Sequence, residues 1–286
     1  MTLSAGDYSA TFLPEVGMLG ASLTWCGVEL LSLHGGVQAF REGHTTGLPL
    51  LAPWANRLSR RQFRVGRVDV DIRGVDLHTD ANGLPIHGTM VGPIVWEVVR
   101  SSATRLAARH RYDSPAFPFP HELEVDARLT EDGLRVATSV RPIGRRRVPV
   151  SFGWHPYLRL PGKRSAWVLG LPARRHLELD ELGIPTGGST REPAGEHPIG
   201  ARTFDDLYAL GRDRLLTLES DDLRIELRFG AGYPFAQVFA PRGKEFIALE
   251  PMTAPTDALV KGTARLVEPG QRFAAGFRIS ASGAAP

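Results

Sequence analysis

The chain of 286 residues is 42% hydrophobic, 23% charged and 8% aromatic, close to the averages of soluble globular proteins and long enough to bury a large core. These fractions exclude wholesale disorder, a collagen-like repeat and a disulfide-dense miniprotein. Thirty-four Lys and Arg against 31 Asp and Glu leave a formal charge of +3. The densest basic runs, Arg57 with Arg60, Arg61 and Arg64, and Arg145 to Arg147, lack the interleaved aromatics of a strand-binding platform, which argues against a nucleic-acid partner.

The opening MTLSAGDYSATFLPEVG has no basic stretch followed by an apolar one, and no run approaches the roughly 18 apolar residues of a membrane span. The expectation is a cytoplasmic protein with no membrane partner, a monomer or homodimer. Cys26 stands alone, so it forms no intrachain disulfide and reads as a small core residue.

Period-two alternation recurs from end to end. Val68, Val70 and Ile72 alternate in RVDVDIR, and further strands are expected at IVWEVV, RLAARHRY, LLTLES, LRIELRF, AQVFA, FIALE and RFAAGFRIS. ELEVDARL and the alternating Leu134, Val136, Thr138 and Val140 flank Glu131-Asp132-Gly133, which predicts a hairpin. Pro185 to Phe204 is turn-rich and reads as one surface loop, while TAPTDALV, around Thr256 to Val260, offers a short helical turn. Strands without long helices between them predict an all-β fold, a large antiparallel sandwich or barrel. With no linker and no fixed-period repeat, residues 1–286 read as a single domain.

Histidines stand singly, with no H-E-x-x-H, Cys pair or Asp-rich loop, so no metal is expected; phosphate loops and a G-x-S-x-G elbow are also missing. What stands out is a set of polar residues embedded in apolar strings: LLAPWANRLS, GLPIHGTMVG, SFGWHPYLRL, TFDDLYAL and FIALEPMTAPTDA. In this order, from about Gly20 to Phe277, they resemble the aldose 1-epimerase (galactose mutarotase) family. The matching elements are LGASL, Asn56-Arg57 with the FRVGR segment, His87-Gly88, His155-Pro156-Tyr157, Asp205 with Tyr208, Gln237 and Glu250. His34, in LSLHGG, resembles the family's histidine string too, but it precedes the Asn-Arg element, so order favours His87. Asp206 competes with Asp205 for register.

The resemblance implies a galactose mutarotase-like supersandwich with few short helices, and an isomerase that interconverts the α and β anomers of a free aldohexose. Ring opening needs one proton to leave the C1 hydroxyl and another to reach the ring oxygen. The resemblance assigns Glu250 as general base and His155, as imidazolium, as general acid. Asn56, Arg57, His87, Asp205 and Gln237 would then bind the sugar, and no cofactor is implied. Trp54, Trp154 and Phe235 lie close by and read as core packing sooner than as sugar-stacking platforms. The family's frequent HPYFNL reads HPYLRL here, and Pro-Met-Thr follows Glu250 where many members have Thr-Gln; these departures bear on the sugar more than on the reaction. Rival readings are a hexose-6-phosphate 1-epimerase, with Arg60, Arg61 or Arg159 near the phosphate, a non-catalytic carbohydrate-binding protein, and a glycosidase using paired carboxylates.

Overall fold

Alternation sets the architecture. Along the strand Phe117–Thr130 every odd-numbered residue is buried and every even-numbered one is partly or fully exposed, as a half-buried pleat requires. The hairpin expected after it is present, with Thr130 opposite Gly133 at the start of the strand Gly133–Pro142. The computed structural model describes residues 1–283; the last three positions of the 1–286 span lie outside the described residues.

Among the described residues the strands form two large antiparallel sheets. A nine-stranded sheet runs in the order Gly195–Pro198, Val168–Leu171, Leu215–Glu219, Leu223–Phe229, Phe273–Gly283, Gly133–Pro142, Phe117–Thr130, Arg105–Ser114, Glu97–Ser101. The second sheet runs Pro185–Glu192, Arg174–Leu179, Phe204–Leu210, Phe235–Ala240, Ile247–Met252, Gly153–Trp154, Leu50–Leu51, and Tyr157–Leu158 also pairs with Ile247–Met252. An N-terminal four-stranded meander and two short ribbons complete the fold. Among the described residues, helix is limited to Gly36–Arg41 and the 3-10 turn Arg164–Ala166. No helix among the described residues is long and apolar enough to cross a membrane.

Trp154 couples the two sheets. It is fully buried, its indole N–H donates to Thr138 Oγ1 at 2.9 Å, and its ring lies 5.9 Å from that of Phe277. Both partners belong to the nine-stranded sheet, so Trp154 points into the layer between the sheets. His155 follows just beyond this strand, and its side chain meets Glu250 instead.

Four expectations are corrected. Pro185 to Phe204 is not one loop: Pro185–Glu192 and Gly195–Pro198 are edge strands, one on each large sheet. Their pairing is carried by backbone bonds, and the polar PTGGSTRE has no apolar alternation to announce it. TAPTDALV forms consecutive turns instead of a helix, because Asp257 has φ 67, outside the right-handed helical region. In IVWEVV the strand begins only at Glu97. Cys26 is half-buried at a turn with φ 48 and is not a core residue.

Candidate active site

Strand register brings the central residues together. Gln237 lies directly opposite Glu250, and Asp205 pairs with Phe239, two residues along the same strand as Gln237. Opposed residues share a face, so Asp205, Gln237 and Glu250 project from one side of the sheet. Asp206 falls on the other side, where it meets His176. Tyr157 pairs with Ala248 and Gly153 with Met252; the same register sets His155 opposite Glu250. Their side chains meet, with His155 Nε2 3.1 Å from Glu250 Oε1.

The remaining groups come from two loops in contact. Asn56 and His87 both adopt left-handed backbone, with φ 58 and 64, and the His87 N–H donates to the Asn56 carbonyl at 3.1 Å. Gly88 follows at φ 74, and a Cβ there would stand 2.2 Å from the carbonyl oxygen of Ala52. Only glycine permits that approach, which explains the His-Gly pair. His87 sets its ring edge-on to His155, with centroids 5.6 Å apart.

Asn56, Arg57, Asp205 and Gln237 close a ring of hydrogen bonds. Asn56 Oδ1 accepts from the Arg57 backbone N–H at 2.9 Å and from its guanidinium at 3.1 Å. Arg57 has donors only, so the amide orientations around the ring are fixed: Asn56 Nδ2 donates to Gln237 Oε1 at 3.2 Å, and Gln237 Nε2 donates to Asp205 Oδ1 at 2.6 Å. Arg57 returns to Asp205 Oδ2 at 3.2 Å. Its Nε donates to Asp80 at 2.7 Å, a carboxylate that also accepts the backbone N–H groups of Asn82 and Leu84.

Depth divides the site. Asn56, His155, Gln237 and Glu250 are 2–4% exposed and form its floor. Arg57, His87 and Phe239 are half-buried, and Asp205 is exposed at the mouth. Burial pushes the Glu250 carboxyl well above the usual carboxylate range, reinforced by the negative charge of Asp205. The same desolvation drives His155 down to about 3 and His87 well below its ordinary value. Burial thus favours the neutral form of both side chains. Glu250 Oε2, His155 Nδ1 and His87 Nδ1 are buried and make no hydrogen bond with the described residues. Buried polar atoms are almost always partnered, so three in one place mark atoms available to a ligand.

The structure thus brings all seven residues singled out from the sequence, Asn56, Arg57, His87, His155, Asp205, Gln237 and Glu250, into one cluster. His34 instead stacks on Phe246 and meets Tyr157 edge-on, and the Tyr157 ring lies 4.2 Å from that of His155. Trp54 and Trp154 are fully buried core residues, and Phe235 packs with Leu51, Ala55 and Met252. Asp80 and Tyr157 escaped the sequence reading as site residues. The signal for Asp80 was D-x-x-G followed by an apolar residue and Pro, which occurs at Asp80 and again at Asp180. Both carboxylates accept two backbone N–H groups, and Gly183 of the second turn lies against the Arg57 guanidinium. No cluster of metal-ligating side chains occurs among the described residues.

A β-sandwich with a buried carboxyl–imidazole pair beside a hydrogen-bonded polar ring defines the class. The sequence model of the aldose 1-epimerase family matches residues 22–280, and the chain belongs to that family. Solved structures agree on the fold. A galactose mutarotase-like protein from Clostridium acetobutylicum superposes with a TM-score of 0.87 at 19% identity, covering 99% of this chain and 95% of that one. An aldose epimerase homologue from C. elegans gives 0.85 at 15% identity, covering 99% and 98%. Galactose 1-epimerase from Lactobacillus acidophilus gives 0.81 at 15% identity, covering 99% and 93%. No curated protein sequence matches the chain.

Proposed function

We propose that this protein is an aldose 1-epimerase that interconverts the anomers of a free aldohexose, with Glu250 and His155 as its acid–base pair. The observation that carries the reading is the 3.1 Å contact between His155 Nε2 and Glu250 Oε1 on a buried floor, flanked by Asn56, Arg57, Asp205, Gln237 and His87, which offer donors and acceptors to sugar hydroxyls.

The proton count follows from the pair. A sugar entering between the two side chains replaces their mutual contact, its hydroxyls solvating Glu250 as carboxylate and its ring oxygen accepting from His155 as imidazolium. Glu250 takes the C1 hydroxyl proton while His155 gives its proton to the ring oxygen, and the C1–O5 bond breaks. The products are an open-chain aldehyde, a protonated Glu250 and a neutral His155. That is the protonation state burial favours, so the environment stabilises the ring-opened species relative to the charged pair. Rotation about C1–C2 and the reverse transfers close the ring on the other face. Arg57 keeps its charge at every relevant pH and holds Asp205 at the mouth, fixing the pose that both transfers require.

Polarimetry or NMR of the anomeric protons on fresh α-D-glucose and α-D-galactose tests the reading. Acceleration over the buffer rate is expected. Acceleration with hexose 6-phosphates alone would move the assignment to the phosphorylated substrates, and tight sugar binding without turnover would leave a binding protein.

A further inference from the structure

Five arginines form a single cross-strand row on the outer face of the nine-stranded sheet. Arg105 lies opposite Arg128, Arg128 opposite Arg135, Arg135 opposite Arg278, and Arg278 opposite Arg228. Directly opposed residues share a face and neighbouring strands lie about 4.8 Å apart, so five guanidinium groups cross five strands in a line. Like charges placed opposite one another are destabilising. One end of the row is neutralised: Asp126 accepts from Arg105 at 2.6 and 3.0 Å and from Arg128 at 3.1 and 3.3 Å. Arg135, Arg278 and Arg228 have no ion pair among the described residues, and Glu226, the next acid along the Arg228 strand, is engaged by Arg224.

The sheet is hollowed beside this row. Ala137 lies opposite Gly276, and the Gly230 N–H donates to the Gly276 carbonyl at 2.8 Å, so close that a Cβ on Gly230 would stand 2.7 Å from that oxygen. These small residues floor a depression of about 700 Å³ walled by Arg128, Arg135, Arg228 and Arg278, with the Asp126 carboxylate, already engaged by Arg105 and Arg128, at its edge.

We propose that this depression binds a small anion carrying two or more phosphate groups. Guanidinium forks match phosphate oxygens bidentately and do not lose their charge. Three uncompensated forks in series span roughly 10 Å, a length that suits linked phosphates better than a single one. The aromatic residues at the depression, Phe229 and Phe277, are buried inward at 4% and 3% exposure, which leaves no platform for stacking bases and favours a small ligand over a nucleic-acid strand. The face is remote in the fold from the Glu250–His155 pair, since it is the outer side of the opposite sheet.

Calorimetric titration of the full chain with inorganic tripolyphosphate, ATP and orthophosphate tests this. Saturable binding of tripolyphosphate, weakened as salt rises, is expected, with orthophosphate weaker by at least about tenfold. Equal affinity for ATP assigns recognition to the phosphate chain, and tighter ATP binding assigns part of it to the nucleoside. Arg135→Gln with Arg278→Gln should weaken tripolyphosphate by at least about tenfold and leave the mutarotation rate unchanged. Removing opposed like charges should not lower the thermal midpoint at low salt, so a folding defect is separable from lost binding, and the ligand should raise the midpoint of the parent protein only. No saturable binding, undiminished binding in the double variant, equal affinity for orthophosphate, or affinity for single-stranded DNA that grows with its length and exceeds that for tripolyphosphate would each overturn the proposal.

Discussion

Gln237 lies directly opposite Glu250 across paired strands, while His155, in the break between the short strands Gly153–Trp154 and Tyr157–Leu158, reaches the same carboxyl at 3.1 Å. Glu250 is thus bracketed by an amide and an imidazole, and among the described residues no cation contacts it and one of its oxygens makes no hydrogen bond. Burial favours the protonated form of a carboxyl so placed, and under the proposed function the hydroxyls of a sugar would support its ionised form. Burying this carboxyl costs the fold stability.

Replacing Glu250 should separate stability from activity. Its folded-state pKa is raised, so above the ordinary carboxylate value the folded chain holds a proton that the unfolded chain has released, and stability falls as pH rises through that window. Glu250→Gln removes this penalty. Its thermal midpoint should exceed that of the parent at pH 8, by the equivalent of about 1–3 kcal/mol, and the gain should vanish near pH 4. Equal destabilisation at both pH values would show that the carboxyl is ionised in the fold.

Buried histidines act with the opposite pH window. Burial holds His121, whose Nδ1 lies 2.7 Å from the Phe119 carbonyl, at about 4 against an ordinary value of 6.5. Between those values the unfolded chain binds the extra proton, so the contribution is present above pH 6.5 and is lost as pH falls toward 4. Roughly 3 kcal/mol is at stake. Denaturant melts from pH 7 to pH 4 should show a slope that His121→Gln reduces; an unchanged slope would assign the acid sensitivity elsewhere.

Asp80 is expected to act through Arg57. Asp80→Asn keeps an acceptor for the Asn82 and Leu84 N–H groups but removes the charge facing Arg57 Nε. Steady-state kinetics should show KM rising about tenfold with kcat changed far less, and stability falling by about 1–2 kcal/mol. A collapse of kcat at constant KM would mean that Asp80 serves the chemistry and not the pose.

Gly88 carries the turn that presents His87. Gly88→Ala places a methyl 2.2 Å from the Ala52 carbonyl at φ 74 and should cost at least about 2 kcal/mol. Calorimetric unfolding reads the loss directly, and a midpoint equal to that of the parent would show that the turn can adopt another path.

Much of this was legible in the chain because alternation is a local signal. Val125, Ala127 and Leu129 announce their strand and Glu131-Asp132-Gly133 its turn. The edge strands Pro185–Glu192 and Gly195–Pro198 were not legible, since the backbone bonds that hold them leave no mark on polar side chains. Asp257 and Cys26 adopt left-handed backbone that their residue types do not announce. The clustering of the site residues was readable from the chain, but their depth of burial was not. His155 reads as an imidazole near its ordinary pKa until its burial beneath Tyr157, His87 and Phe239 is known. The choice between Asp205 and Asp206 depended on strand register, which the pairing of Leu207 with Gln237 decides.

The most direct test of the acid–base pair is the rate of anomer exchange, followed by NMR of the anomeric protons, in the parent protein, Glu250→Gln and His155→Asn. Each substitution should lower kcat by about 10²–10⁴ with the protein folded, and the double variant should be little worse than either single one, because the two groups share one proton cycle. Retention of near-parental turnover in either folded variant would contradict the account.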